Sequence, residues 1–147
     1  MTTRLSQSEV YEFWTRQARE HGQSPSASWS DHPVIEMEIT EIARHLTDGD
    51  KVLDVGCANG YSSMQFACAR RIQLRGLDFV PEMIEHARVR IGTMQDKLLG
   101  TAEFDVGDIT QLKEPSNAYD KVIVVRVLIN LGTWERQLSG LCRCVPE

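Results

Sequence analysis

The chain has 147 residues, of which 41% are hydrophobic and 25% charged, and its formal net charge is −5 at pH 7. This length and composition predict a single soluble globular domain, residues 1–147, and exclude a disordered or fibrous chain. The negative charge argues against a nucleic-acid partner or an anionic membrane surface and favours a small-molecule partner. The N-terminus has no apolar core of signal-peptide length, and no stretch approaches about 18 consecutive apolar residues, so we expect a cytoplasmic protein without a membrane partner.

A first helix is predicted from the capping-box pattern of Ser6 and Glu9 to about Arg19. Its apolar stripe contains Trp14, and Tyr11 lies close by. Two interpretations stay open for these aromatic residues: packing against a sheet, or covering a bound ligand.

A Ser/Pro/Gly-rich loop follows at residues 22–30 and contains Trp29, a large aromatic residue that is usually anchored on a core or on a ligand. The second helix is predicted to begin near Pro33, with Asp31 as its cap, and its isoleucine and leucine residues recur at helical spacing. Residues 1–47 are therefore predicted to form an N-terminal helical cap within the domain.

The segment KVLDVGCANGYSS, residues 51–63, predicts a buried strand, a small-residue turn at Gly56, Ala58 and Gly60, and a helix from Tyr61. This geometry directs backbone N–H groups and the positive end of a helix at a ligand. A dinucleotide fingerprint would need a small residue at position 61, so an NAD-dependent oxidoreductase is disfavoured.

The next two predicted strands also end in acidic residues. The second strand, residues 72–78, ends at Asp78. The spacing of Asp78 from Gly56 is typical of an acidic residue that hydrogen-bonds to ribose hydroxyls, and capping of the helix that begins at Pro81 is the alternative. A third strand, with alternating apolar residues up to Val106, is followed by Gly107 and Asp108. Parallel sheets bind ligands at the carboxyl ends of their strands, which is where these side chains fall.

The unbroken apolar run at residues 122–129 predicts a central parallel strand that is covered on both faces. Arg126 is a charge inside this run, and we expect either contact with a ligand or an ion pair at the strand end. A last helix is predicted over residues 133–143, with Trp134, Leu138 and Leu141 on one side.

In this order, the motifs over residues 45–145 resemble class I S-adenosylmethionine-dependent methyltransferases. Asp54 and the glycine turn resemble motif I of that family, Asp-x-Gly-x-(Gly/Ala)-x-Gly, with Ala58 in place of the commoner glycine. Tyr119 and Asp120, before the apolar run, resemble motif IV. The resemblance implies a Rossmann-like α/β fold, with a parallel sheet and helices on both faces, and S-adenosylmethionine as cofactor.

The resemblance also implies roles for individual residues. Phe79 would stack on adenine, Asp108 would accept a hydrogen bond from the adenine amino group, and Arg126 would lie near the methionine part of the cofactor. The full cofactor set is Asp54, Gly56, Cys57, Ala58, Gly60, Asp78, Phe79, Met83, Asp108, Ile109 and Arg126. The candidate substrate residues are Tyr11, Trp14, Trp29 and Asn130, and no residue is assigned as catalytic.

The sequence supplies only four strands of the family's seven, whose order is 3-2-1-4-5-7-6, so we expect a fold truncated after about four strands. The predicted strand at residues 122–129 would then be an open edge, which favours a homodimer through that edge.

Methyl transfer to a small-molecule acceptor is the main functional hypothesis, and a truncated, non-catalytic, cofactor-binding or structural remnant that dimerises is the alternative. A metal site is not expected, because the four cysteines form no C-x-x-C pair and no histidines lie at metal spacing.

Overall fold

The computed structural model describes residues 5–144, so the predicted domain limits at residues 1 and 147 lie outside the described residues. The helices of this part of the chain are Gln7–His21 (α1), His32–Arg44 (α2), Tyr61–Ala69 (α3), Pro81–Met94 (α4) and Trp134–Cys144 (α5). The strands are Lys51–Val55 (β1), Gln73–Asp78 (β2), Thr101–Val106 (β3) and Lys121–Val124 (β4).

The four strands form one parallel sheet in the order β3-β2-β1-β4. This confirms the predicted α/β class, and the order matches the first four positions that the resemblance implies. Alternate side chains of β1 enter different core clusters: Val52 packs with residues of α2, α3 and α4, whereas Leu53 and Val55 pack with Leu131. Because neighbouring side chains of a strand point to opposite faces, a strand covered on both sides is a continuous apolar run.

The predicted starts of the first two helices are confirmed. Ser6 caps α1, since its hydroxyl accepts from the backbone N–H of Glu9 while the Glu9 carboxylate accepts from that of Ser6. Asp31 caps α2 by accepting from the backbone N–H of Val34. These side chains satisfy N–H groups that have no partner within their own helix.

The predicted strand at residues 122–129 is wrong in its second half. Strand pairing ends at Val124, and Arg126 has a φ of +56°, a left-handed conformation that turns the chain out of the sheet. A 3₁₀ turn, Leu128–Leu131, follows, and Ile129 is 69% exposed. Among the described residues β4 pairs only with β1, so this strand lies at an edge of the sheet, as expected for a fold truncated after about four strands.

The apolar side of α5 faces solvent. Trp134, Leu138 and Leu141 are all exposed, and Trp134 is 68% exposed. The buried residue of this helix is Gly140, where an added Cβ would contact side chains of Leu131 and Ile109 at 3.3–3.4 Å. The helix therefore packs through its smallest residue and leaves its largest apolar residues free.

Candidate functional site

A cleft opens at the carboxyl edge of the sheet, where the four strands end. Its walls come from the segments that follow the strands, together with side chains of α1 and α2. The residues that line it at the strand ends are Asp54, Val55, Gly56, Cys57 and Ala58 at the end of β1, Asp78 and Phe79 at the end of β2, Gly107, Asp108 and Ile109 after β3, and Val125, Arg126 and Val127 after β4. The sheet topology thus brings together residues from four separate parts of the sequence.

Every predicted cofactor residue lines this cleft except Gly60. Gly60 begins α3 with a φ of +72°, and a Cβ at this position would lie 3.0 Å from both Ala87 and Phe104. Its lack of a side chain lets the turn pack against α4 and β3. In the structure Gly60 is therefore a packing residue of the turn rather than a wall residue of the cleft.

The candidate substrate residues divide into two groups. Trp14 and Asn130 line the cleft. Tyr11 lies in an adjoining shallow depression and packs edge-to-face on Phe79, with 5.7 Å between ring centroids. Trp29 does not line the cleft, but the guanidinium of Arg126 lies 5.0 Å from its ring centroid.

The prediction that the glycine turn directs its backbone N–H groups at a ligand is wrong for most of the turn. The N–H groups of Gly56 and Cys57 donate to the carbonyl of Leu77, at 2.7 and 2.9 Å. The N–H of Ala58 donates to Oδ2 of Asp78 at 3.0 Å. These bonds fasten the turn to the end of β2, because the turn's left-handed conformation directs its donors toward that strand.

Gly56 allows Val127, which lies in the segment after β4, to pack against the turn. Its φ is +78°, and a Cβ built on it would lie only 2.1 Å from Cγ2 of Val127. Real carbon atoms do not approach so closely, so a side chain here would force Val127 away from the turn. Ala58 also adopts a left-handed φ, of +49°, which is uncommon for a residue with a Cβ.

Two buried carboxylates form the centre of the cleft. Asp54 accepts from the Ser63 hydroxyl at 2.5 Å, while Asp78 accepts from the N–H groups of Ala58 and Val80, both at 3.0 Å. Loss of water raises the pKa of each carboxyl group from 3.8 to about 6, against the hydrogen bonds that lower it. Buried carboxylates of this kind favour a ligand that brings positive charge.

The two interpretations of Asp78 are not exclusive. One oxygen accepts a hydrogen bond from the N–H of Val80, in the turn that leads into α4. This agrees with the alternative in which Asp78 caps that helix. The other holds the glycine turn, and the side chain still lines the cleft. A carboxylate has about four acceptor positions, so these two hydrogen bonds leave capacity for hydroxyl groups of a ligand.

Asp108 lines the cleft beyond the end of β3 and also begins a 3₁₀ turn. Its Oδ1 accepts from the backbone N–H and from the hydroxyl of Thr110, both at 2.8 Å. Among the described residues its other oxygen has no hydrogen-bond partner, which leaves it for a donor group on a ligand.

Sequence reasoning missed two polar residues that shape the site. Asn59 is almost fully buried, and its amide donates to the carbonyls of Gly22 and Ser24, both at 2.8 Å. Arg90 of α4 donates to the carbonyls of Asn59 and Gln23. Together they hold the loop between α1 and α2 against the glycine turn. The position of the Asn59 amide within a turn of small residues could have indicated a structural role. Its hydrogen-bond partners could not be identified, because they lie far away in the sequence.

Glu38 was also missed. This residue of α2 lines the cleft and pairs with Arg126, so the ion pair expected as one alternative for Arg126 is present. The periodicity of α2 placed its core face correctly, yet nothing in the sequence joined residue 38 to residue 126.

Within residues 5–144, no group of three or more potential metal ligands clusters. The four cysteines are free thiols, and burial and the two neighbouring carboxylates raise the pKa of the Cys57 thiol. In the same range no helix combines the length and apolar character needed to cross a bilayer.

Comparison with known families gives one match to a family description. A family described as "Methyltransferase domain" matches residues 46–145. Among curated proteins, ajmaline N-methyltransferase of Rauvolfia serpentina is 29% identical over 92 residues, covering 63% of this chain and 31% of that protein. The 27-O-demethylrifamycin SV methyltransferase of Amycolatopsis mediterranei is 28% identical over 106 residues, covering 64% and 36%.

Solved structures share the fold at low sequence identity. The [4+2]-cyclase SpnF matches with a TM-score of 0.75 at 17% identity, covering 99% of this chain and 59% of that one. Magnesium protoporphyrin IX methyltransferase from Synechocystis PCC 6803, solved with bound S-adenosylmethionine, has a TM-score of 0.70 at 19% identity, with 98% and 73% covered. The chain spans 31% of the length of ajmaline N-methyltransferase and 29% of that of sterol 24-C-methyltransferase ERG6A of Gibberella zeae, which is 31% identical over 111 residues.

Proposed function

We propose, from the premise that this chain belongs to the methyltransferase domain family, that it binds S-adenosylmethionine in the cleft and supports methyl transfer to a small-molecule acceptor. The observation that carries this proposal is the convergence of Asp54, Asp78 and Asp108 on one cleft with the glycine turn. The curated relatives named above are methyltransferases, and a solved neighbour of the same fold holds the cofactor.

The residues present fit this cofactor. A flat heterocycle needs an apolar slot with hydrogen-bond partners at its edge, and the cleft offers Phe79, Met83 and Ile109 beside Asp108. A ribose needs an acceptor for its hydroxyls, which Asp78 provides. A sulfonium carries positive charge, which matches the buried carboxylates of Asp54 and Asp78.

The proposed cofactor residues follow from these matches. Phe79, Met83, Asp108 and Ile109 would hold the adenine, and Asp78 the ribose. The methionine part would lie along the turn of Asp54, Gly56, Cys57 and Ala58 toward Arg126. Gly60 would act through the shape of the turn, since it does not line the cleft.

When bound, S-adenosylmethionine supplies an electrophilic methyl group on a positively charged sulfur. The contribution proposed for the chain is to orient the cofactor, to exclude water and to present an acceptor beside the open end of the cleft. Trp14 and Asn130 line the cleft, and Tyr11 and Trp29 lie at its margins, which makes these four the proposed acceptor-side residues. No general base is assigned.

A second candidate function is a cofactor-binding unit without turnover. A protein named as a cyclase, SpnF, has the same fold, so this fold is compatible with a function other than methyl transfer. Fold alone therefore does not determine the reaction.

Calorimetric titration with S-adenosylhomocysteine tests the cofactor proposal. Micromolar binding by the chain, loss of at least tenfold in affinity for Asp78→Ala, and no change for Asp96→Ala, an exposed aspartate outside the cleft, are the expected results. Binding of NAD in place of S-adenosylhomocysteine would overturn the proposal. A screen with radiolabelled S-adenosylmethionine against small-molecule acceptors then separates the enzyme from the non-catalytic unit.

A homodimer through the open edge is also proposed. The outer side of β4 has no strand partner among residues 5–144, and Ile129, Trp134 and Leu138, which follow β4 in the chain, are exposed. Unpaired edges and apolar surface favour association. Light scattering at micromolar concentration should give the dimer mass, and Leu138→Glu should give the monomer, whereas Met37→Glu, at an exposed residue of α2, should not. A strictly monomeric wild-type chain would contradict the dimer.

A cytoplasmic location and a single domain with residues 1–47 as its helical cap complete the proposal. The four free thiols support the location, because cysteines stay reduced in the cytosol. The bonds from Asn59 and Arg90 to the loop between α1 and α2 support a cap that belongs to the same domain. Fractionation and limited proteolysis test the two statements separately.

A further inference from the structure

A depression in the surface adjoins the cleft at the end of β3. Gln7, Ser8 and Tyr11 of α1 line it, and so does Val106, the last residue of β3. The depression and the cleft share part of their walls, so the two spaces are continuous. The shared residues are Gln7, Phe79, Gly107 and Asp108.

The depression offers apolar surface and room for a ring. Val106 is 53% exposed and Tyr11 is 38% exposed, and among the described residues β3 is an outer strand that no further strand covers. The volume of the depression, about 380 Å³, exceeds the roughly 150 Å³ of a cavity that holds benzene. Surface of this kind favours an apolar or aromatic group, because contact with such a group removes it from water.

Asp108 lies where the cleft meets the depression, and one of its carboxylate oxygens is free. Its Oδ1 is occupied by the backbone N–H and the hydroxyl of Thr110. Among the described residues Oδ2 has no hydrogen-bond partner, yet protein atoms do not enclose it. This oxygen is therefore accessible to an N–H group of a ligand that lies at the boundary between the two spaces.

The chemistry of an exocyclic amino group fits this boundary. Such a nitrogen carries two hydrogens, and Oδ2 of Asp108 accepts one of them. A carbon substituent can replace the second hydrogen without loss of that hydrogen bond. Since the nitrogen lies at the boundary, the depression is the neighbouring space for the substituent.

We propose that the depression is a subsite for an apolar or aromatic substituent on the exocyclic nitrogen of an adenine that is held in the cleft. The chain then binds N⁶-substituted adenosyl ligands as well as unsubstituted ones, and Val106 and Tyr11 contact the substituent. This inference rests on the proposed function, which places the adenine beside Asp108.

The test compares ligands that differ only at this nitrogen, by calorimetry. The N⁶-benzyl derivative of S-adenosylhomocysteine should bind the wild-type chain within about threefold of the parent compound or more tightly, because the benzyl group covers apolar surface. The N⁶,N⁶-dimethyl derivative has no N–H left for Asp108, so it should bind about tenfold or more weakly than the parent.

A variant that fills the depression tests its location. Val106→Trp should lower the affinity for the N⁶-benzyl derivative by about tenfold or more, while the affinity for S-adenosylhomocysteine stays within about threefold. Val89→Trp is the matched control, since Val89 is a 59% exposed valine of α4 that lines neither the cleft nor the depression. It should change neither affinity, and circular dichroism should show that both variants are folded.

Three results would overturn the subsite: an N⁶-benzyl derivative that binds the wild type more than about threefold more weakly than the parent, a dimethyl derivative that binds as well as the parent, or a Val106→Trp variant without a selective loss. A folded wild-type chain that binds none of the three compounds would instead refute the proposed function. In that case, binding of N⁶-benzyladenosine that Val106→Trp removes would still support the subsite, and its absence would refute the subsite as well.

Discussion

Replacing Gly56 with alanine is expected to destabilise the protein severely, because Val127, in the segment after β4, packs on this glycine. The new Cβ would lie 2.1 Å from Cγ2 of Val127, whereas carbon atoms in contact stand about 3.5–4.0 Å apart. Overpacking of this kind costs about 1–3 kcal/mol, and the left-handed φ of +78° adds about 1–2 kcal/mol. We expect the free energy of unfolding to fall by roughly 2–5 kcal/mol, a large part of the stability of a typical domain.

Urea unfolding followed by circular dichroism measures this loss, with the slope of the transition as a check that the two-state treatment holds. Gly49→Ala is the matched control, since Gly49 also has a positive φ, of +97°, but no heavy atom within 4 Å of its added Cβ. For Gly49→Ala the free energy of unfolding should fall only by the conformational contribution, about 1–2 kcal/mol.

A double variant isolates the contact itself. Val127→Ala removes Cγ2, so in combination with Gly56→Ala it should restore about 1–3 kcal/mol relative to the sum of the two single changes. If Gly56→Ala costs no more than Gly49→Ala, or if the double variant shows no such coupling, the packing of Val127 on the turn is not what requires glycine.

Three further predictions concern the turn and the buried carboxylates. Ala58→Gly should raise the free energy of unfolding by about 0.5–1 kcal/mol, because it relieves the left-handed φ of +49° at the expense of some chain entropy; a loss in urea unfolding would contradict this. Asn59→Ala should cost about 2–3 kcal/mol in the same assay, since two loop carbonyls lose a buried donor, and Asn59→Asp should cost more by facing them with a carboxylate. The folded-state pKa of Asp54 and Asp78 is raised to about 6, so their protonated forms favour the folded state. Their contribution is complete below about pH 4 and is lost as pH rises through 6, by up to about 3 kcal/mol per carboxyl. The difference in unfolding free energy between wild type and Asp54→Asn, followed from pH 4 to 8, should therefore fall with rising pH, and a difference that stays constant would show that the carboxyl is not shifted.

Local patterns predicted the elements of this protein well. The apolar run of β1, the capping box of α1 and the Asp31 cap of α2 depend on neighbouring residues, whose interactions are fixed by spacing along the chain. The same reasoning failed at residues 125–129, where β-branched residues favour a strand. There the left-handed conformation of Arg126, with its side chain held by Glu38 and Trp29, overrides the local preference.

The candidate site was predicted from the residues at the ends of the strands, not from contacts between side chains. Asp54, Asp78 and Asp108 could each be assigned because a parallel sheet places the carboxyl ends of its strands at one edge. Glu38 and Asn59 could not, because their partners are separated from them by 88 and about 36 residues, and no periodicity connects such positions. The direction of the N–H groups in the glycine turn was likewise beyond the sequence, since it depends on backbone angles at Gly56 and Ala58.

By itself, then, the sequence determined the order of helices and strands, the parallel α/β class and the set of acidic residues at one edge of the sheet. Each of these follows from short-range steric and hydrophobic preferences. The tertiary structure alone decided which charges meet across the cleft, that β4 stops at Val124, and that the large apolar residues of α5 face outward. Those outcomes depend on packing between distant segments, where a close contact such as Val127 on Gly56 outweighs what any short stretch of chain prefers.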